Sequence, residues 1–271
     1  MVLHNSLSNY LAKRKFTTNL SAITVNFLSY LVCIVAFGIL MITDNISLYT
    51  VVTGVIFGVV TLISAQYKLL ALNKGPMHLT LLFTTSSMII PSLSGAFFGE
   101  KLSVFKVLTI LVLIFFLYLS FEKNNSTKAQ KSWFFFTFLA FLFQGAIGIL
   151  QKIHQASAHK DESSGFLFVA FICAVVFCLI QSKGKLDTQV SDKKVLFICF
   201  ICGVCVFIMN YINLKLSGIM PSQLFFPLIN GSTIVASSLV SVFLFKEKLS
   251  PRQSIGITGG IISLIAICFV Q

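Results

Sequence analysis

The sequence predicts an all-α integral membrane protein, and three observations carry that reading. Hydrophobic residues make up 56% of the 271 residues and charged residues only 10%, with a mean hydropathy of +0.94. A soluble domain holds about 25% charged residues, so a water-excluding core has no room for this many apolar side chains. The apolar residues also come in long uninterrupted runs of roughly the length that crosses a bilayer as a helix. Backbone in lipid must satisfy its own hydrogen bonds, and continuous rather than alternating runs select helices over a closed barrel. The acidic residues, finally, all fall in the connections between these runs or at their ends.

Taken in chain order, the runs predict nine full spans at about 20–42, 48–72, 77–98, 104–121, 132–153, 164–181, 194–217, 221–245 and 252–270. The most polar connections are Glu122–Lys131 and Gln181–Lys194. Ser103 and Ser250 are candidate N-caps for the spans that follow them, which places Pro251 at a first helical position.

An internal repeat is visible at a fixed offset, since Glu247 lies 147 positions after Glu100. The halves align without gaps from Lys68/Lys215 to Ile110/Ile257, and Leu69/Leu216 and Leu81/Leu228 are identical. The decisive match is Glu100-Lys101-Leu102-Ser103 with Glu247-Lys248-Leu249-Ser250, a charged corner closing an apolar run in each half. Five spans follow the linker and four precede it. Residues 1–12 are therefore expected to be the tail of a partial first helix, with a nine-helix protein carrying a short amphipathic N-terminus as the alternative.

Basic residues set the orientation. Fifteen Lys and Arg fall in one set of alternate connections and five, Lys101, Lys106, Lys152, Lys160 and Lys215, in the other. The richer set is assigned to the cytoplasm, which puts the N-terminus inside and the C-terminus outside. The formal charge of +12 belongs to these connections, and no basic stripe interleaved with aromatics points to nucleic acid.

Several chemistries are set aside on spacing. Cys199, Cys202 and Cys205 lie at helical intervals within an apolar span, where they read as packing residues rather than cluster ligands. The first sixteen residues lack the apolar region of a cleavable signal. The carboxylates Asp44, Glu100, Glu122, Asp161, Glu162, Asp187, Asp192 and Glu247 fall in connections or at span ends, and His4, His78, His154 and His159 form no zinc motif. Neither an enzyme nor a metal or cofactor is expected.

The segments 64–103 and 227–261, each ending or centred on the Glu-Lys-Leu-Ser corner, resemble the drug/metabolite transporter superfamily, EamA-like branch. The resemblance covers about residues 47–121 and 132–270. It implies two inverted-topology five-helix repeats, here residues 1–121 with the first helix truncated and residues 132–271, joined by a linker at 122–131. It also implies a central cavity and alternating access by rocking of the two halves. Inverted topology would put Glu100 and Glu247 on opposite faces of the membrane, as matching structural corners rather than a catalytic pair.

The expected function is a membrane permease for a small organic metabolite or drug-like solute. With no carboxylate or histidine placed deep in a span, a facilitator or exchanger is expected rather than a proton antiporter. A non-transporting membrane protein, such as an assembly partner or a degenerate repeat protein, is the alternative. Eighteen lysines against two arginines fit a low-GC genome, and the permease is expected in the bacterial inner membrane.

Neutral polar residues then mark the candidate pathway. Gln223, Pro227, Asn230, Thr233, Ser237 and Ser241 recur every three or four positions on one helix face, as do Thr80, Thr84, Ser87, Pro91 and Ser94 on the repeat partner. The predicted pathway residues are Tyr67, Thr84, Gln144, Asn210, Asn213, Asn230 and Thr233. Ala71–Lys74 matches a nucleotide-recognition motif of sugar-nucleotide carriers too weakly to set the substrate. The partners expected are a small-molecule substrate and the lipid bilayer. Gly54/Gly58 and Gly256/Gly260 read as close-packing pairs within the chain, with a homodimer as the other use of such faces. A reporter fused to the C-terminus is expected to be active only outside the cytoplasm, and cytoplasmic activity contradicts the orientation.

Overall fold

The computed structural model describes residues 19–43, 46–74, 77–100, 103–120, 131–185, 192–245 and 250–269, together with Leu7. Every long element among them is helical: α1 (Asn19–Leu40), α2 (Leu48–Lys74), α3 (Met77–Ser86), α4 (Ile89–Ser94), α5 (Val104–Ser120), α6 (Lys131–Ala156), α7 (Ser163–Ser182), α8 (Lys193–Ile219), α9 (Ser222–Phe245) and α10 (Pro251–Phe269). Helices α1, α2, α6, α7, α8 and α10 are long and apolar enough to cross a membrane, and α5 contains a shorter apolar stretch, Val104–Leu119. The expected partial first helix, apart from Leu7, and the corner residue Glu247 lie outside the described residues.

One expected span is not a single helix. The run 77–98 breaks after Ser86, resumes as α4 and ends in the 3₁₀ turn Gly95–Phe98. Pro91 explains the break, because it has no N–H to offer the carbonyl of Ser87, four residues back. That carbonyl instead accepts from Ile90 N–H at 3.0 Å, and Met88 N–H donates to Thr85 at 3.1 Å, both tighter three-residue steps. Neighbouring hydroxyls supply further donors: Ser87 Oγ to Thr84 O at 2.6 Å, Ser92 Oγ to Met88 O at 2.6 Å and Ser94 Oγ to Pro91 O at 2.8 Å. The proline in α9, Pro227, is instead carried inside a continuous helix.

The chain forms two compact units, and each draws on both sequence halves: residues 1–62 with 153–218, and residues 63–152 with 219–271. In the first unit α1 packs on α7 through Phe37, fully buried and stacked on Phe171 at 5.8 Å. Phe207 of α8 meets the same ring at 4.6 Å. Ser29 Oγ donates to Cys199 O and Cys33 Sγ to Gly203 O, tying α1 to α8. Cys199 and Cys202 are buried there as packing residues. Helix α2 lies so close to α7 that a Cβ on Gly58 would collide with the backbone carbonyl of Ala170, the close approach small residues permit in membranes.

In the second unit α5 packs on α10, and α9 lies against α4, α5 and α10. The side chain of Trp133 on α6 is buried and donates to Thr80 Oγ1 of α3 at 2.8 Å, meeting the indole's need for an acceptor. The two repeat corners are capped differently. Ser250 and Gln253 exchange bonds, Ser250 N–H to Gln253 Oε1 at 2.8 Å and Gln253 N–H to Ser250 Oγ at 3.3 Å, forming a capping box that starts α10. The first repeat has Lys106 where the second has Gln253, and a lysine has no acceptor to give. Its start is capped from another helix, Ser103 N–H donating to Gln223 Oε1 of α9 at 3.2 Å.

Replacing Gly58 by Val is expected to destabilise the detergent-solubilised protein by about 2 kcal/mol, the usual size of an overpacking penalty. Thermal unfolding checks this, with the exposed Ser254→Ala expected to leave the midpoint in place.

Candidate functional site

Two carboxylates organise the polar interior, one in each unit. Glu162 precedes α7, and its backbone carbonyl accepts the Phe166 N–H that begins that helix. Its side chain caps a second helix. Oε2 accepts from Ser47 N–H at 2.8 Å and Ser47 Oγ at 2.7 Å, at the N-terminus of α2, while Oε1 pairs with His159 Nδ1 at 2.9 Å. Burial alone would raise the Glu162 pKa, but the donors from Thr50, Ser47 and His159 outweigh it and hold the carboxyl down at about 2.

Glu100 follows the same plan in the other unit. It accepts from Ser222 N–H at 2.7 Å and Ser222 Oγ at 3.2 Å, at the N-terminus of α9, where the helix dipole favours a negative charge. Its Oε1 forms an ion pair with Lys152 of α6 at 2.6 Å, and the Lys152 ammonium also donates to Met220 O at 3.2 Å. The two side chains are only 18% and 9% accessible. Glu100 therefore does more than mark a corner, because it joins the end of the broken span to α6 and α9.

The predicted pathway residues divide between the units. Asn210 and Asn213 belong to the first, and Tyr67, Thr84, Gln144, Asn230 and Thr233 to the second. Two of them share one helix contact. Gln144 Oε1 accepts from Ser64 Oγ at 3.1 Å, joining α6 to α2, and Tyr67 stacks on Phe136 and Phe143 of α6 at 6.1 and 5.9 Å. Four of the others bond back into their own helices: Asn210 Nδ2 to Val206 O at 2.9 Å, Asn230 Nδ2 to Phe226 O at 2.9 Å, Thr233 Oγ1 to Ile229 O at 2.7 Å and Thr84 Oγ1 to Thr80 O at 3.0 Å. Thr84 is buried, whereas Asn210, Asn213, Asn230 and Thr233 are half-buried. The side chains of Ser237 and Ser241 lie outside the described residues.

A model of the EamA-like transporter family matches residues 131–269, from the first residue of α6 to the last of α10. The chain belongs to the EamA-like transporter family. It is thus a multi-pass membrane protein of a family that carries small solutes across membranes. One solved crystal structure superposes with a TM-score of 0.70, covering 99% of this chain and 94% of its own, at 14% sequence identity. That likeness speaks for the fold alone. No curated protein matches the sequence.

Sequence reasoning found the Glu100 corner but missed its partners, since Ser222 lies 122 positions away and Lys152 sits at the end of an apolar run. It also placed His154 beyond its span. Helix α6 instead continues to Ala156, and His154 is fully buried against the Phe166 ring at 4.3 Å. The polar residue that follows draws this last turn inward, Gln155 Nε2 donating to Ser163 Oγ at 2.9 Å.

Because the Glu162 carboxyl is depressed in the folded protein, its stabilisation is present above the ordinary carboxyl value of 4.5 and is lost as pH falls towards about 2. Glu162→Gln is expected to flatten that part of the stability–pH curve, measured as unfolding midpoint against pH. A curve identical to that of the native protein contradicts the assignment.

Proposed function

We propose that the protein is an inner-membrane permease for a small organic metabolite or drug-like solute, working by alternating access as a facilitator or exchanger. Family membership supports solute transport. The observation that carries the finer reading is the state of two asparagines, one on α8 and one on α9. Asn210 and Asn230 each spend one amide N–H on their own helix. No described residue donates to either amide oxygen, and both side chains are half-buried. An anchored neutral acceptor of this kind can hydrogen-bond a solute without the cost of a charge in the bilayer. Gln144, Asn213, Thr233, Thr84 and Tyr67 are proposed to complete the pathway.

The disposition of the carboxylates supports a mechanism that does not depend on a proton gradient. Glu100 and Glu162 are each committed to a helix N-terminus and a basic partner. In this reading the halves 1–121 and 132–271, linked by 122–131, descend from one five-helix unit in inverted topology.

Asn230→Ala and Asn210→Ala are each expected to slow counterflow in proteoliposomes at least tenfold, with the unfolding midpoint unchanged. Collapsing a pH gradient is expected to leave counterflow in place. Unaltered counterflow in both variants, or its loss with the gradient, contradicts the proposed pathway or mechanism respectively.

A further inference from the structure

The Glu100–Lys152 pair is built unlike a fixed staple. Its carboxylate stands on a weak platform: the six-residue α4, a four-residue 3₁₀ turn and Gly99 at φ 76°. Short elements of this kind hold few backbone bonds, so they rearrange more readily than a full helix. The carboxylate reaches its place through a gap kept open by Gly95, where a Cβ would run into Glu100 Oε2 and come within 3.1 Å of Ser222 Cβ.

The first turn of α9 is held by the same cluster from two sides. Ser222 is bound to Glu100, and the next residue, Gln223, caps α5 through Ser103. Gln223 is 2% accessible, yet its Nε2 has no hydrogen-bond partner among the described residues. A buried amide left one partner short lowers the advantage of this arrangement over another in which the amide is paired. Buried ion pairs, moreover, add little net stability compared with apolar packing, and a switch role is among their better-attested uses.

We propose that the Glu100–Lys152 pair is a latch that opens in the folded protein. Closed, it pins the first turn of α9 to α6 and to the 95–100 segment. Open, it frees that turn, and with it the helix that carries Asn230 and Thr233. Lys152 and Glu100 are thus positioning residues, acting on the pathway through α9. The role in transport rests on the permease reading, but the opening itself is measured without any solute.

The test is paired chemical labelling of the full protein in lipid vesicles, read residue by residue by mass spectrometry. A membrane-permeant succinimidyl acetate reports the Lys152 amine, with the exposed Lys160 as reference. N-ethylmaleimide reports Cys33, which is completely buried in the folded protein. Lys152 is expected to acylate at least tenfold more slowly than Lys160, but to completion while Cys33 remains unmodified. Glu100→Gln keeps an acceptor for Ser222 N–H and removes the charge, so it is expected to speed Lys152 acylation at least tenfold with Cys33 still protected.

Lys152 that reacts only in step with Cys33 overturns the proposal, as does a folded Glu100→Gln protein with an unchanged Lys152 rate. Should Glu100→Gln fail to fold, prompt Cys33 modification reveals it, and the comparison within the native protein decides. An opening latch in vesicles that move no solute would remove the permease reading and leave the latch standing, and transport with a permanently closed pair would do the reverse.

Discussion

Within the hydrocarbon layer there is no water to bond with, so every polar group must find its partner in the chain. The helices meet that demand for their own backbones, except at their first turns, where N–H groups have no partner inside the helix. Side chains from elsewhere meet it in this protein. Glu162 serves α2, Glu100 serves α9 and Gln223 serves α5, while α10 serves itself through Ser250 and Gln253. Caps delivered from distant helices do two things at once: they satisfy a donor and they fix which helix ends lie side by side.

The same demand explains the interior polarity. Thr24, Thr53, Thr84, Ser92, Asn210, Asn230 and Thr233 all return a donor to a carbonyl one turn back in their own helix. A hydroxyl bonded this way has spent its single donor and can only accept, whereas an amide keeps a second N–H as well as its oxygen. That difference separates the asparagines, which keep a donor and an acceptor, from the serines near Pro91, whose hydroxyls donate to the carbonyls of the broken span. Removing one partner of a buried ion pair such as Glu100–Lys152 typically costs about 3–5 kcal/mol through the charge left behind.

Helix positions were legible in the sequence because an apolar run of bilayer length has one stable form in lipid. The run 48–72 became α2 and 164–181 became α7, each within two residues at either end. The capping of α10 was legible too, as Ser250 and Pro251 are local signals. The break at Ser87 was not drawn from Pro91, because a membrane helix tolerates proline, as α9 does at Pro227. Partners such as Glu100 and Ser222, or Glu162 and Ser47, were not legible, since they depend on which helices meet and no local pattern records that. The burial of His154 had the same cause: its setting is made by Phe166 and Ser163 on the next helix.

The central claim is that Glu100 and Glu162 are spent on holding helix ends and that the protein moves a solute with neutral groups. The most direct measurement is metabolite profiling of cells that lack the protein beside cells that overproduce it, with the protein verified in the membrane. The account predicts that one chemical class of small polar or drug-like metabolites shifts in opposite directions between the two. Pools that stay the same in both would contradict it.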